Sequence, residues 1–159
     1  MGATIPFQYE EAFTSNLGLL TPEEQTRLRQ ATVAIPVMGG VGGAHLLTLT
    51  RLGVGRFVIA DPDLFELRNL NRQLGATMAT LGQRKVDVMA DMARAINPDV
   101  AIRVVADGIH SANIEEFLVG CDVVVDGLDF FRMDARRLLF QRARANGLHA
   151  ITCGPLGFG

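Results

Sequence analysis

The sequence predicts an α/β fold: a doubly wound, mostly parallel sheet with helices on both faces. Three observations carry this. Short apolar runs alternate with helix-like segments along most of the chain. The first run leads into a knot of glycines, Gly39, Gly40, Gly42 and Gly43, and then into a helical segment. The second run, Phe57-Val58-Ile59-Ala60, closes on an acid, Asp61, about 20 residues after Gly40. Strand, glycine turn, helix, strand, acid is the order of a mononucleotide-binding βαβ unit, so the expected sheet is Rossmann-like.

Residues 1–31 form an N-terminal helical extension in this reading. Tyr9, Phe13, Leu17 and Leu20 fall at spacings of three and four, which predicts one helical stripe. Thr21, Pro22 and Glu24 predict a capped helix running to Gln30, with Thr21 as cap and Glu24 closing a capping box.

Residues 32–159 form the nucleotide-binding unit. A first strand is expected at 32–37 and a helix at 42–52, ended by Gly53 and Gly55. A second strand covers 56–61. Residues 62–80 are irregular, with one helical turn near 66–70, and a connection this long inside an α/β unit is usually functional. A helix at 82–96 is stopped by Asn97-Pro98. A third strand covers 101–105. Ser111 is expected to cap a short helix reaching Val119. DVVVD at 122–126 reads as a fully buried fourth strand. A long helix at 131–146 ends at Gly147, and a buried-type fifth strand covers 148–152. The chain then stops in the glycine-rich turn CGPLGFG, which reads as a unit cut from something longer.

Composition narrows the function. A net charge of −2 exerts no general pull on nucleic acid or an anionic membrane. No apolar run approaches the roughly 20 residues of a membrane span, and the N-terminus lacks a basic-then-apolar secretion signal. The expected location is cytoplasmic. Cys121 and Cys153 form no C-x-x-C pair, which argues against a zinc site or a disulfide framework. The chain holds a single lysine, Lys85, among many arginines. A site that needs a compact ammonium is one reason to keep it.

The residues after Asp61 sharpen the reading. Asp61-x-Asp63 is followed by Asn69-Leu70-Asn71-Arg72-Gln73, then by Gly82-Gln83-Arg84-Lys85, and later by Asp126-Gly127-Leu128-Asp129. Two cations, polar amides and an acid near strand ends suit a triphosphate with magnesium. The pattern resembles the ThiF/MoeB family, bacterial relatives of ubiquitin-activating enzymes, over roughly residues 9–159. The resemblance implies an adenylyltransferase that uses ATP and Mg2+. Its substrate would be a carboxylate, foremost the C-terminal glycine of a ubiquitin-like or sulfur-carrier protein; some members act on peptides or a modified tRNA base. It also implies a homodimer. By position, Gly40 and Gly42 would hold the nucleotide and Asp61 its ribose. Asn69 and Arg72 would contact phosphates, Lys85 would neutralise the triphosphate, and Asp129 would coordinate magnesium.

The sequence departs from the family pattern at three places. Val37 stands where the glycine motif usually begins. Thr14-Ser15-Asn16 occupies the place of an arginine that reaches a partner's ATP site. Phe130 follows the magnesium aspartate, where a polar residue is common. Cys153 is a candidate nucleophile only by default, and His45 is expected to be a packed or surface histidine. Two other functions fit parts of the pattern: a non-catalytic relative that binds a partner, and an NAD(P)-dependent oxidoreductase.

Overall fold

The computed structural model describes residues 5–129 and 131–154. In order along the chain these form α1 (Tyr9–Ala12), α2 (Pro22–Gln30), β1 (Thr32–Ile35), α3 (Gly40–Arg51), β2 (Arg56–Ala60), α4 (Lys85–Ile96), β3 (Ala101–Val105), α5 (Ile114–Leu118), β4 (Val123–Asp126), α6 (Met133–Ala145) and β5 (His149–Thr152). The five strands make one sheet in the order β3-β2-β1-β4-β5, and every pairing is parallel. Order reverses on either side of β1, which leaves a crevice beyond the carboxyl ends of β1 and β4.

Alternation along each strand feeds two cores. Val33, Ile35, Phe57 and Ile59 face α3 and α4, packing with Leu46, Val86, Met89 and Ala93. Ala34, Val58, Ala60 and Val124 face α5 and α6, packing with Ile114, Phe117, Leu118 and Leu139. Burying a side chain such as Phe57 or Ile59 contributes about 1.5–3 kcal/mol. The doubly wound α/β sheet expected from the sequence is therefore the observed one.

The N-terminal segment is not one helix. α1 is a single turn, a 3-10 turn follows at Thr14–Asn16, and the chain then reverses so that Leu17 bridges Leu20. Tyr9 and Phe13 are buried, whereas Leu17 is about half exposed. Polar anchoring overrides the helical spacing here. The Tyr9 hydroxyl donates to the Gly53 carbonyl (2.5 Å) and accepts from Gln25 Nε2 (2.9 Å), and Asn16 Nδ2 donates to Leu52 O and Gln25 Oε1. Gly53, at φ +93°, leaves the space that Tyr9 and Gln25 fill. The Thr21–Glu24 capping box of α2 is present as expected.

Other boundaries shift for identifiable reasons. β1 ends at Ile35 because Pro36 has no N–H to donate. α4 begins at Lys85 rather than 82. Residues 82–85 instead pair with the crossover loop, through Gly82 N–H to Phe65 O, Phe65 N–H to Gln83 O and Lys85 N–H to Asp63 O. Ser111 does not cap α5. Asn113 organises that turn, its Oδ1 accepting from His110 N–H (2.8 Å) and its Nδ2 donating to Gly108 O (2.7 Å). α6 starts at Met133, after a turn in which Arg132 N–H donates to Asp129 O. β4 is fully buried only at Val124 and Asp126. β5 is the sheet edge rather than a buried strand; His149, Ile151 and Thr152 are exposed on it. No helix among the described residues is long and apolar enough to cross a membrane.

Candidate functional site

A cavity of about 1120 Å³ opens at the carboxyl ends of the strands. Its floor is the start of α3, where Gly39 is the N-cap and Gly40, Val41 and Ala44 line the wall. No side chain caps the first turn of α3, so its amide groups and positive dipole end face a ligand space. The crossover loop supplies Asp63, Glu66, Asn69, Arg72 and Gln73; the start of α4 supplies Lys85; the turn after β4 supplies Gly127, Leu128 and Asp129, with Arg132 just beyond.

Glycines here allow close approach rather than a special φ. A Cβ on Gly40 would come within 3.3 Å of the Arg72 carbonyl, so the loop lies directly on the glycine turn. A Cβ on Gly42 would fall 1.8 Å from the Val37 carbonyl, which forbids any side chain there. Gly42 is buried and does not line the cavity; its contact is with β1's exit and with Gly127. The Val37 side chain is ringed by Gly39, Gly42 and Gly127 and forms part of the cavity wall.

The carboxylate of Asp61 is 2% exposed and lies off the cavity wall. Its Oδ2 accepts from Met38 N–H and its Oδ1 from Asp63 N–H, both at 2.8 Å. Asp61 thereby ties the end of β2 to the end of β1. Burial pushes its carboxyl above the ordinary range, and the two backbone donors and Lys85 pull in the opposite direction. The acid that lines the cavity is Asp63, whose side chain is 66% exposed and pairs with Lys85 Nζ at 3.0 Å. The Lys85 side chain is only 7% exposed, an ammonium held in the wall with one counterion.

Asn69, Arg72 and Gln73 lie on one turn of the crossover loop, since Gln73 N–H donates to Asn69 O. Asn69 is buried, and its Oδ1 accepts from Glu66 N–H. Arg72 is exposed, with Nη1 bonded to Arg68 O and Asn71 Oδ1 at 3.0 Å. Arg72 and Lys85 thus share a cavity with the glycine turn. Asp129 is exposed on the opposite wall, and its Oδ1 accepts from Phe131 N–H (3.3 Å).

A second network sets Asp129 in place. Asp126, 1% exposed, pairs with Arg136 Nε at 2.8 Å. The same carboxylate accepts from Leu128 N–H and Thr152 Oγ1, while Arg136 Nη2 donates to Leu128 O. Sequence reasoning assigned no role to Arg136, because its ten-residue distance from Asp126 matches no local pattern. It also passed over Asp63 and Gln73, although both stand inside the motifs quoted above. His45 is half-buried on the cavity wall, and its Nε2–H donates to the Cys153 carbonyl (2.7 Å). Cys153 is exposed at the same wall. Asn16 is committed to Leu52 and Gln25 and does not line the cavity. Phe130 lies outside the described residues.

Fold and cavity together define a Rossmann-like α/β domain with a crevice at the strand ends. The ThiF family profile matches residues 13–159, and the chain belongs to the ThiF family. It is 33% identical to the tRNA threonylcarbamoyladenosine dehydratase of Haemophilus influenzae, over 99% of this chain and 61% of that protein. It is 35% identical to the SAMP-activating enzyme E1 of Haloferax volcanii, over 82% of this chain and 47% of that one. The structure of the Escherichia coli dehydratase TcdA in complex with ATP superposes with a TM-score of 0.87 at 28% identity, covering 98% of this chain and 63% of TcdA. The chain therefore spans about three-fifths or less of these relatives.

Proposed function

We propose that the cavity binds Mg-ATP and that the chain activates a carboxylate as an acyl adenylate, releasing pyrophosphate. The observation that carries this reading is the convergence of the α3 N-terminus, Asn69, Arg72, Lys85 and Asp129 on one cavity. The substrate carboxylate attacks the α-phosphate, a new oxygen–phosphorus bond forms, and the α–β anhydride bond breaks. No protein nucleophile is needed, so catalysis reduces to positioning and charge neutralisation. Arg72 and Lys85 neutralise the departing pyrophosphate, and the α3 amides and Gly40 hold the phosphate chain. Gly42 serves by letting α3 close onto β1. Asp61 fixes the strand ends that carry the site.

The donor set fits a magnesium ion that arrives with the triphosphate. Mg2+ keeps several waters and takes one or two carboxylates besides phosphate oxygens. Asp129 would supply that carboxylate, and no cluster of three His, Cys, Asp or Glu is found among the described residues.

Two substrates are supported. A relative matched over nearly the whole chain is a tRNA threonylcarbamoyladenosine dehydratase, which favours a carboxylate on a modified tRNA adenosine. Exposed Arg68, Arg72 and Arg132 on the cavity wall offer local positive charge despite the net −2. The match to a SAMP-activating enzyme favours the C-terminal glycine of a ubiquitin-like or sulfur-carrier protein. ATP–pyrophosphate exchange separates them, run with tRNA carrying threonylcarbamoyladenosine or with a carrier protein. Lys85→Ala is expected to lower exchange by about 10²–10³-fold. Exchange at the parent rate in this variant would remove Lys85 from the site.

A further inference from the structure

Lys85 carries its charge at an unfavourable place. It is the first residue of α4, at the positive end of the helix dipole, and its side chain is only 7% exposed. Desolvation and dipole both oppose the ammonium. Among the described residues Nζ has one partner, Asp63 Oδ2 at 3.0 Å. The backbone holds Asp63 on both sides: its N–H donates to Asp61 Oδ1 (2.8 Å), and its carbonyl accepts from Lys85 N–H (3.0 Å). Leu64 and Arg84 form a bridge beside it. Asp63 and Lys85, 22 residues apart, are therefore joined twice, once through backbone and once through side chains.

Both residues line the cavity that holds the start of α3 and Arg72. A carboxylate there does not suit a triphosphate directly. It repels phosphate oxygens and occupies the ammonium they would use. In the empty crevice, however, it is the countercharge that keeps a buried cation from standing alone. An arriving triphosphate brings its own countercharge and so competes with Asp63 for Nζ. We propose that Asp63 is a positioning residue that acts through Lys85: it holds the ammonium in the wall of the empty cavity and yields it to the phosphates, so that this competition sets nucleotide affinity. The proposal rests on the reading of the cavity as an ATP site.

The test is a double-mutant cycle read by calorimetric binding of Mg-ATP to the wild type, Asp63→Asn, Lys85→Ala and the double variant. Asp63→Asn is expected to bind about five- to tenfold more tightly than the wild type, because the nucleotide then supplies the ammonium's countercharge alone. In the Lys85→Ala background the same substitution should change affinity by about twofold at most, the screened repulsion between carboxylate and phosphate. Asp63→Glu restores a carboxylate and should return affinity toward the wild-type value. If Asp63→Asn does not fold, Asp63→Ser carries the same comparison with a smaller side chain that lets water reach Nζ. Unchanged binding by Asp63→Asn overturns the proposal; weaker binding also overturns it and assigns the carboxylate to the magnesium ion. An equal gain in both backgrounds overturns it as well, since Asp63 then acts without Lys85. So does Asp63→Glu binding as tightly as Asp63→Asn, since charge at this position is then immaterial. A wild type that binds no Mg-ATP overturns the ATP reading itself, and this proposal with it.

Discussion

Two charged side chains, Asp61 and Lys85, are buried by different means. Among the described residues Asp61 has no direct ion pair; two backbone N–H groups solvate it. An amide at this position offers one acceptor where two are needed, so Asp61→Asn leaves either Met38 N–H or Asp63 N–H unpaired. The expected cost is about 1–3 kcal/mol at neutral pH, read by chemical denaturation. The pH dependence has a definite sign. The folded Asp61 carboxyl titrates above its unfolded value, so between the two values the folded state holds more protons. Its contribution to stability therefore rises as pH falls through the raised value, and levels off below the ordinary one. The wild-type advantage over Asp61→Asn should widen across that acid range; a gap that narrows there would show that the shift runs downward.

Legibility at this scale followed chemistry with a short reach. Thr21 and Glu24 were readable because a capping box is local. Ser111 was not, because the Asn113 amide organises the same turn with two hydrogen bonds. Asp61 stood out by its spacing from the glycines, yet spacing does not tell whether a carboxylate faces a ligand or the backbone. Gln73 sat in view beside Arg72, but that its Oε1 is buried without a partner among the described residues is a property of packing and not of sequence.

At the scale of elements, the turn between β4 and α6 depends on one buried ion pair. Arg136→Met leaves Asp126 buried with Leu128 N–H and Thr152 Oγ1 as its remaining partners among the described residues. The expected loss is about 3–5 kcal/mol, and the double variant Asp126→Asn/Arg136→Met should recover part of it in a thermodynamic cycle. Additive losses would mean that the two side chains act independently. The same turn carries Asp129, so nucleotide binding should weaken along with stability. The alternation of strands and helices, and with it a mostly parallel sheet covered on both faces, was readable from the apolar runs; the strand order was not, because pairing between distant strands leaves no local pattern. The start of α4 was not readable, since residues 82–85 are taken up by pairing with the loop at 63–65.

At the scale of the whole molecule, stability is unevenly spread. β1 and β2 each have two strand neighbours and a helix layer on either face, whereas β5 pairs with β4 alone and is exposed. Hydrogen exchange should release β5 amides first and those of Val33–Ile35 and Phe57–Ile59 last. Protection of β5 equal to that of β1 would indicate that something covers this edge in solution.

If the crevice is the proposed nucleotide site, the pairing of Lys85 with Asp63 would make it selective before any chemistry begins. The ammonium already has a companion, so a passing chloride or sulfate gains little by displacing it and leaves a carboxylate without a counterion. A visitor that brings both a negative group for the lysine and a hydroxyl or hydrated cation for the aspartate can satisfy both halves of the parted couple. On that reading the ion pair would favour two-sided ligands, and its parting would accompany their binding.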